Sequence, residues 1–360
     1  MINKHSIYNW LFFPLLASLL AGSATSCIND PAMEEDTSGK STLSIMVRGV
    51  TTNPEQDGYD EYIETLRIIG FDASGNVVCN QLFDNDVTTT DIPNFTIQGT
   101  GEETKINITQ TLKEAFQGGT CDFYFIANED KYTVYNTQSD SQSLSGFLNG
   151  TSLTIDGLMK CVIAYTGMEP GATNQLPILM TTSVRTTLRP GDNTINNIEL
   201  VRCFAKVQLK IIDQTNSAKV GDNPVLEVTY PSYYSLWDES QDANWTSNDA
   251  EVNIDLVLGN GTIEQDGQSY VLYTSQEIYF PERLFTPDAN NTEANALKFS
   301  FTLNDELYTA AVADETGTDF NIRRNTHYTV IATLKKKETV TFNVMVNAWG
   351  EKTMDVPAFE

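Results

Sequence analysis

A chain of 360 residues that carries 22 Lys and Arg against 48 Asp and Glu has a formal net charge of −26. That acidity excludes functions that depend on Lys and Arg clusters, nucleic-acid binding and attachment to anionic membrane surfaces above all. The length exceeds what one hydrophobic core organises comfortably, so two domains of about 150 residues are expected.

At the N-terminus, Lys4 and His5 form a short polar start, and an apolar run from Trp10 to Leu20 follows, interrupted by Pro14 and Ser18. The small residues Gly22-Ser23-Ala24-Thr25-Ser26 then lead into Cys27. A membrane-spanning helix needs about 20 apolar residues with suitable flanks, whereas this stretch is shorter and ends in a small-residue cleavage pattern. Residues 1–26 are therefore expected to be a signal peptide, with Cys27 the acyl acceptor of a lipoprotein. The alternative is an ordinary secretory signal cut near Ala24, which leaves Cys27 an incidental thiol. Each buried methylene contributes about 0.8 kcal/mol, so three acyl chains on the mature N-terminus hold a protein on a bilayer almost irreversibly.

Residues 27–40 are polar and acidic, with Pro31 and Gly39 among them, which describes a flexible tether. Short alternating runs between Gly, Asn, Asp and Pro clusters then predict antiparallel β-sandwiches. The expected strands of the first half lie at 42–50, 63–71, 77–83, 105–108, 121–127, 178–182 and 193–200. Those of the second half lie at 203–212, 226–230, 270–279, 297–303, 306–312, 326–334 and 340–348. Asp72-Ala73-Ser74-Gly75-Asn76 predicts a turn, with Gly75 available for positive φ. A short helix is expected at 110–117, stopped by Gly118-Gly119. Residues 128–160 predict a long connection or short irregular elements. Arg189-Pro190-Gly191-Asp192 is the expected boundary, dividing an N-terminal domain at 41–190 from a C-terminal one at 191–360. No fixed-period repeat is present, which disfavours a solenoid or propeller.

Little in the sequence points to catalysis. His327 is the one histidine beyond the signal, and triad chemistry would depend on it entirely; a surface or sheet-edge imidazole is the expected role. Glycoside hydrolysis needs two suitably spaced carboxylates, yet the acidic residues follow tether and loops without local pattern. Asp222-Asn223 and the group Asp238, Glu239 and Asp242 lack the ordered spacing of a calcium loop. Cys79, Cys121, Cys161 and Cys203 are too widely spaced for a zinc site and are expected as buried free thiols, although export permits disulfides. No enzyme activity, cofactor or metal is expected.

Six phrases in chain order resemble the fimbrillins, the lipoprotein-derived pilins of Bacteroides-type bacteria that build type V pili. They are Phe123-Tyr124-Phe125-Ile126-Ala127-Asn128, Leu176-Pro177-Ile178-Leu179-Met180-Thr181, and Ile198-Glu199-Leu200-Val201-Arg202-Cys203-Phe204-Ala205-Lys206-Val207. The others are Tyr279-Phe280-Pro281-Glu282, Arg324-Asn325-Thr326-His327-Tyr328, and Val344-Met345-Val346-Asn347-Ala348-Trp349. Arg283 stands where an Asn is expected, and Cys203 where a β-branched residue is more usual. The resemblance implies an all-β fold of two antiparallel β-sandwich (transthyretin-like) domains in tandem, and a structural subunit of a surface fimbrium anchored in the outer membrane through its N-terminal lipid.

The resemblance further implies that an arginine-specific protease cuts after an Arg near the mature N-terminus, removing lipid and first strand together. Leu43, Ile45 and Val47 alternate with Ser44, Met46 and Arg48, so Arg48-Gly49 is the candidate cleavage site, with Arg67 and Arg189 as other arginines. At the far end, Val340, Phe342, Val344, Val346 and Ala348 alternate with polar residues and Met345, which makes them a candidate donor strand for a neighbour's vacated groove. The expected partners are other pilin subunits, including tip or anchor subunits, and the protease. The competing expectation is a glycan-binding or other accessory surface lipoprotein, for which Tyr230, Tyr233, Tyr234 and Trp237 are candidate platforms.

Overall fold

Residues 65–71 are buried at every position, in contrast to the burial alternation of a strand such as 180–188. A strand buried on both faces has to lie in a middle layer, and that layer organises the first half of the fold. The computed structural model describes residues 42–48, 62–85, 92–98, 105–113, 116–137, 140–164, 177–221, 224–230, 233–237, 250–285, 290–335 and 339–348, all within the unit formed by residues 37–360.

In chain order the first strands are β1 (Thr42–Arg48), β2 (Thr65–Asp72), β3 (Val77–Asp84), β4 (Thr96–Gln98), β5 (Lys105–Thr111) and β6 (Gly119–Ala127). They are followed by β7 (Thr133–Thr137), β8 (Asp140–Ser143), β9 (Val162–Ala164), β10 (Met180–Leu188), β11 (Asp192–Glu199) and β12 (Val201–Arg202). The next are β13 (Phe204–Asp213), β14 (Val225–Tyr230), β15 (Tyr233–Ser235), β16 (Ala250–Asp255), β17 (Leu258–Gln265) and β18 (Gln268–Ser275). The chain continues with β19 (Ile278–Pro281), β20 (Lys298–Leu303), β21 (Glu306–Ala311), β22 (Thr326–Lys335) and β23 (Thr339–Ala348). Two short helices, α1 (Leu144–Leu148) and α2 (Ile155–Met159), are capped by the Ser143 and Thr154 side chains, which accept from Gly146 N–H and Gly157 N–H. No helix among the described residues is long and apolar enough to cross a membrane.

The middle layer is the sheet β12-β10-β6-β2-β3. Leu66, Ile68, Phe123 and Phe125 on one face pack against the sheet β11-β1-β5-β4. Ile69, Phe71, Tyr124 and Ile126 on the other face pack against α1, α2 and the sheet β15-β9-β7-β8. Residues 128–160 are thus short elements with a purpose, since they cover a face that would otherwise expose four large apolar side chains. Gly70 permits the close approach at the centre, because a Cβ there would meet Phe123 Cε1 at 2.6 Å.

The second half pairs a sheet of order β17-β18-β13-β22-β23, to which β19 adds through β13, with the sheet β16-β14-β20-β21. Val207, Leu209 and Ile211 of β13 and Tyr328, Val330 and Ala332 of β22 point into the core between them. Among the described strands the ladders are antiparallel except for β1 with β11 and β13 with β22, which run parallel.

Three sequence expectations need correction, and one pairing was not anticipated. The helix expected at 110–117 does not start there, because Gln110 and Thr111 finish β5, and Gln110 pairs with Leu43. The strand expected at 270–279 is two strands, both on β13 but separated by Gln276 and Glu277. Arg189-Pro190-Gly191 does not separate the halves: Gly191, at φ +92°, turns the chain from the middle layer into the outer sheet, where β11 pairs with β1. The passage into the second half comes at Cys203, between β12 and β13. Finally, β15 belongs to the second half by sequence yet pairs with β9 of the first. The turn at Asp72 forms as expected, with Gly75 at φ +82° and the Asp72 carboxylate accepting from Ser74 N–H and Asn76 N–H.

Candidate functional site

β1 is an interior strand. It pairs antiparallel with β5 from Thr42↔Thr111 to Arg48↔Lys105, and parallel with β11 from Thr42↔Asp192 to Arg48↔Glu199. Both ladders hold it along its length, with a register shift against β11 between Ile45 and Val47. Leu43 and Ile45 are 0% and 2% exposed and pack in the cluster containing Ile106, Ile108, Ile195 and Ile198. Thr42 hydroxyl donates to the Asp192 carboxylate at the start of the strand. Arg48 ends β1; Gly49 and Cys27 lie outside the described residues, as do the expected signal and tether.

β23 is an edge strand. Its described neighbour is β22, paired antiparallel in register from Thr326↔Ala348 to Lys335↔Thr339. Val340, Val344 and Val346 are half-buried against the second core, and Phe342 is 38% exposed with its ring edge-on to Phe301 at 6.2 Å. The candidate donor residues thus sit on the rim of their own sandwich, whereas the candidate excised strand sits inside its sheet.

No protein-family model matches the chain, and no curated protein matches it. Among solved structures it is similar to a tip fimbrial protein from Porphyromonas gingivalis with a C-terminal truncation, at TM-score 0.54 and 15% identity over 86% of this chain and 100% of that one. It is also similar to a fimbrial assembly protein from Parabacteroides distasonis, at TM-score 0.51 and 10% identity over 85% of this chain and 98% of that one. The chain shares the fold of these two proteins. The fimbrillin resemblance of its phrases and this fold agree.

Within that fold the six phrases converge on one junction. Asn128, at φ +64°, donates its side-chain amide to Ile178 O at 2.7 Å and accepts from Glu64 N–H at 2.8 Å. Cys203 N–H donates to Leu179 O at 3.0 Å, Glu282 N–H to Cys203 O at 3.4 Å, and Asn325 N–H to Phe204 O at 2.7 Å. Arg202 Nη1 donates to Asn325 Oδ1 at 3.1 Å, and Arg324 forms a buried ion pair with Glu282 at 2.8 Å. Tyr328, opposite Val346, brings in the last phrase. Buried polar groups this close have to be satisfied mutually, which ties residue types far apart in sequence to one another.

Sequence reasoning missed the side chains that pack with β1, Ile106 and Ile108 on β5 and Ile195 and Ile198 on β11. The two-residue spacing of Ile106 and Ile108 was the available signal, whereas Ile195 and Ile198 are three apart across the register shift against β1; that β5 and β11 both neighbour β1 was not readable. It also missed the buried pair Arg67–Glu129 at 2.6 Å, with side chains 1% and 0% exposed. Arg67 further donates to Asn80 and Asn149 and is therefore closed to a protease.

Other candidates fall differently. Tyr234 and Trp237 are 4% and 5% exposed in the third core, so they offer no platform to a glycan. Tyr230 and Tyr233 belong to β14 and β15. His327 lies opposite Lys206 on the sheet, its Nε2 4.0 Å from Glu277, whose carboxylate also meets Lys206 Nζ at 2.9 Å. Cys79, Cys121, Cys161 and Cys203 are all buried, and burial pushes the thiols of Cys79 and Cys161 up to about 12. No group of three or more His, Cys, Asp or Glu side chains forms a metal site among the described residues. Asp222-Asn223, Asp238, Glu239 and Asp242 lie outside them.

Proposed function

We propose that the chain is a structural pilus subunit, exported as a lipoprotein precursor and polymerised by donor-strand exchange. The signal at 1–26 is removed, Cys27 is acylated, and the tether at 27–40 holds the precursor at the outer membrane. An arginine-specific protease cuts between Arg48 and Gly49 and frees lipid and β1 together. The partners are then other pilin subunits, either copies of this chain or tip and anchor subunits. No enzymatic step falls to this protein.

The observation that carries the proposal is the interior position of β1. Loss of an edge strand shortens a sheet; loss of β1 opens a slot with unpaired main chain on β5 and β11 and an apolar floor. Such a slot is a template for an incoming strand. Val340, Phe342, Val344 and Val346 of another copy, with Ala348, match its period-2 demand. Full burial of the four larger side chains contributes roughly 6–12 kcal/mol gross, as an upper bound. β23 can leave its own sandwich by giving up one ladder, with its apolar face only half-buried there.

The test is Arg48→Ala, together with deletion of residues 340–360, in cells that assemble surface filaments. Arg48→Ala should leave a lipid-bound, unpolymerised subunit, and the truncated chain should be exported without polymerising. Filaments of normal abundance from either variant contradict the corresponding step.

A further inference from the structure

The segment Tyr233–Trp237 lies between β14 and β16 in sequence, two strands of the second sandwich, yet it leaves that sandwich and docks on the first half. β15 pairs antiparallel with β9 through Tyr233↔Ala164, Tyr234↔Ile163 and Ser235↔Val162. Leu236 N–H then donates to Cys161 O at 3.0 Å, and Trp237 Nε1–H to Leu158 O at 2.9 Å. Tyr234, Leu236 and Trp237 are buried among Tyr124, Leu158 and Phe204, with the Trp237 ring edge-on to Tyr124 at 5.2 Å and Tyr234 edge-on to Phe204 at 5.3 Å.

One side chain of the second half closes over this docked segment. Arg324, just before β22, donates from Nη1 to Leu236 O and from Nη2 to Ser235 O, each at 3.1 Å. The Glu282 carboxylate holds the guanidinium, accepting from Nε at 3.0 Å and from Nη2 at 2.8 Å, and it accepts from Arg324 N–H at 3.2 Å. Leu236 O also accepts from the Thr181 hydroxyl of β10 at 3.3 Å. A planar fork with fixed donors suits two successive carbonyls and a carboxylate together, an arrangement that the rotatable donors of an ammonium do not pre-organise.

We propose that Tyr233–Trp237 is an intramolecular strap that makes the two halves one cooperative unit, with Arg324 the positioning residue that latches it. Direct chain continuity through Cys203 is a single covalent crossing, whereas the strap adds a β-ladder, an aromatic anchor and a latch to it. Load or disorder at β22 and β23 then reaches the first half through Arg324 and the strap. The inference is independent of strand exchange and stands or falls on the folded subunit alone.

The test is amide hydrogen exchange and thermal unfolding of the full chain carrying Arg324→Met with Glu282→Leu, which removes the latch without stranding a buried charge. Wild type should unfold in one transition. The double variant should show two, with exchange at residues 161–164 and 233–237 faster by about tenfold or more while residues 106–108 and 207–211 keep their protection. If the double variant does not fold, Arg324→Lys keeps the charge beside Glu282 and loses the fork, and it should show the same local increase. One transition with unchanged exchange at 161–164 and 233–237 in the folded variant, or two transitions in wild type, overturns the proposal.

Discussion

Ile45 and Ile195 stand opposite each other across the parallel pair of β1 and β11, both buried in the same core. One belongs to the strand that cleavage after Arg48 would take away; the other stays behind as a wall of the slot. The core of the precursor is thus built partly from a segment that the proposed mature subunit no longer owns.

That division predicts opposite effects before and after processing. Ile45→Ala should destabilise the precursor by about 2–5 kcal/mol, as large-to-small changes at filled core positions do, measured by denaturant unfolding. Filaments built from the same variant should match wild type in stability, because the altered residue has been removed. A filament weakened along with the precursor would mean that β1 persists in it.

The first half carries a second buried pair besides Arg324–Glu282. Arg67 reaches Glu129 through Nε at 2.7 Å and Nη2 at 2.6 Å. Arg67→Met leaves the Glu129 carboxylate buried without its partner and should cost about 3–5 kcal/mol by urea unfolding. Adding Glu129→Leu should recover most of that loss, since both charges are then gone. No recovery in the double variant would place the cost in packing and not in the stranded carboxylate.

Which parts of this were readable depended on whether the signal was local. The alternation in 204–213 and 339–348 is a property of one strand and declares a half-buried sheet without knowledge of its neighbours. The continuous burial of 65–71 reads as a strand too, but its second apolar face, Ile69 and Phe71, acquires meaning only when α1, α2 and β7–β9 lie over it. β15 is three residues long, and its partner β9 is more than sixty positions away, so no period marks either. β17 went unassigned because Gly259, Asn260 and Gly261 carry no apolar alternation, and they form an exposed outer strand against β18. Gln110 and Thr111 fit a helical pattern before Gly118-Gly119, yet pairing with β1 extends β5 through them. The ends of the candidate exchange, Arg48 and 340–348, were readable in sequence; the walls of the slot needed the sheet order.

The buried thiols give a pH signature with a definite sign. The Cys79 and Cys161 thiols are raised by burial from an ordinary 9.0 to about 12, so folding favours their protonated forms. Their contribution is complete below pH 9, where both states hold the proton, and is lost as pH rises from 9 toward 12. The thermal midpoint of wild type should therefore fall more steeply above pH 9 than that of Cys79→Ala with Cys161→Ala, each compared with its own value at pH 7. Parallel curves would show that the two thiols titrate alike in folded and unfolded chains.

The central claim is that removing β1 creates a vacancy shaped for β23, and its most direct measurement is peptide binding. The subunit is cut after Arg48, freed of its N-terminal fragment, and titrated with a synthetic peptide of residues 339–348 while exchange at residues 106–108 and 195–198 is followed. The account predicts saturable binding to the trimmed subunit, none to the intact one, and restored protection on both walls. A trimmed subunit whose β5 and β11 are already protected, and which ignores the peptide, would contradict it.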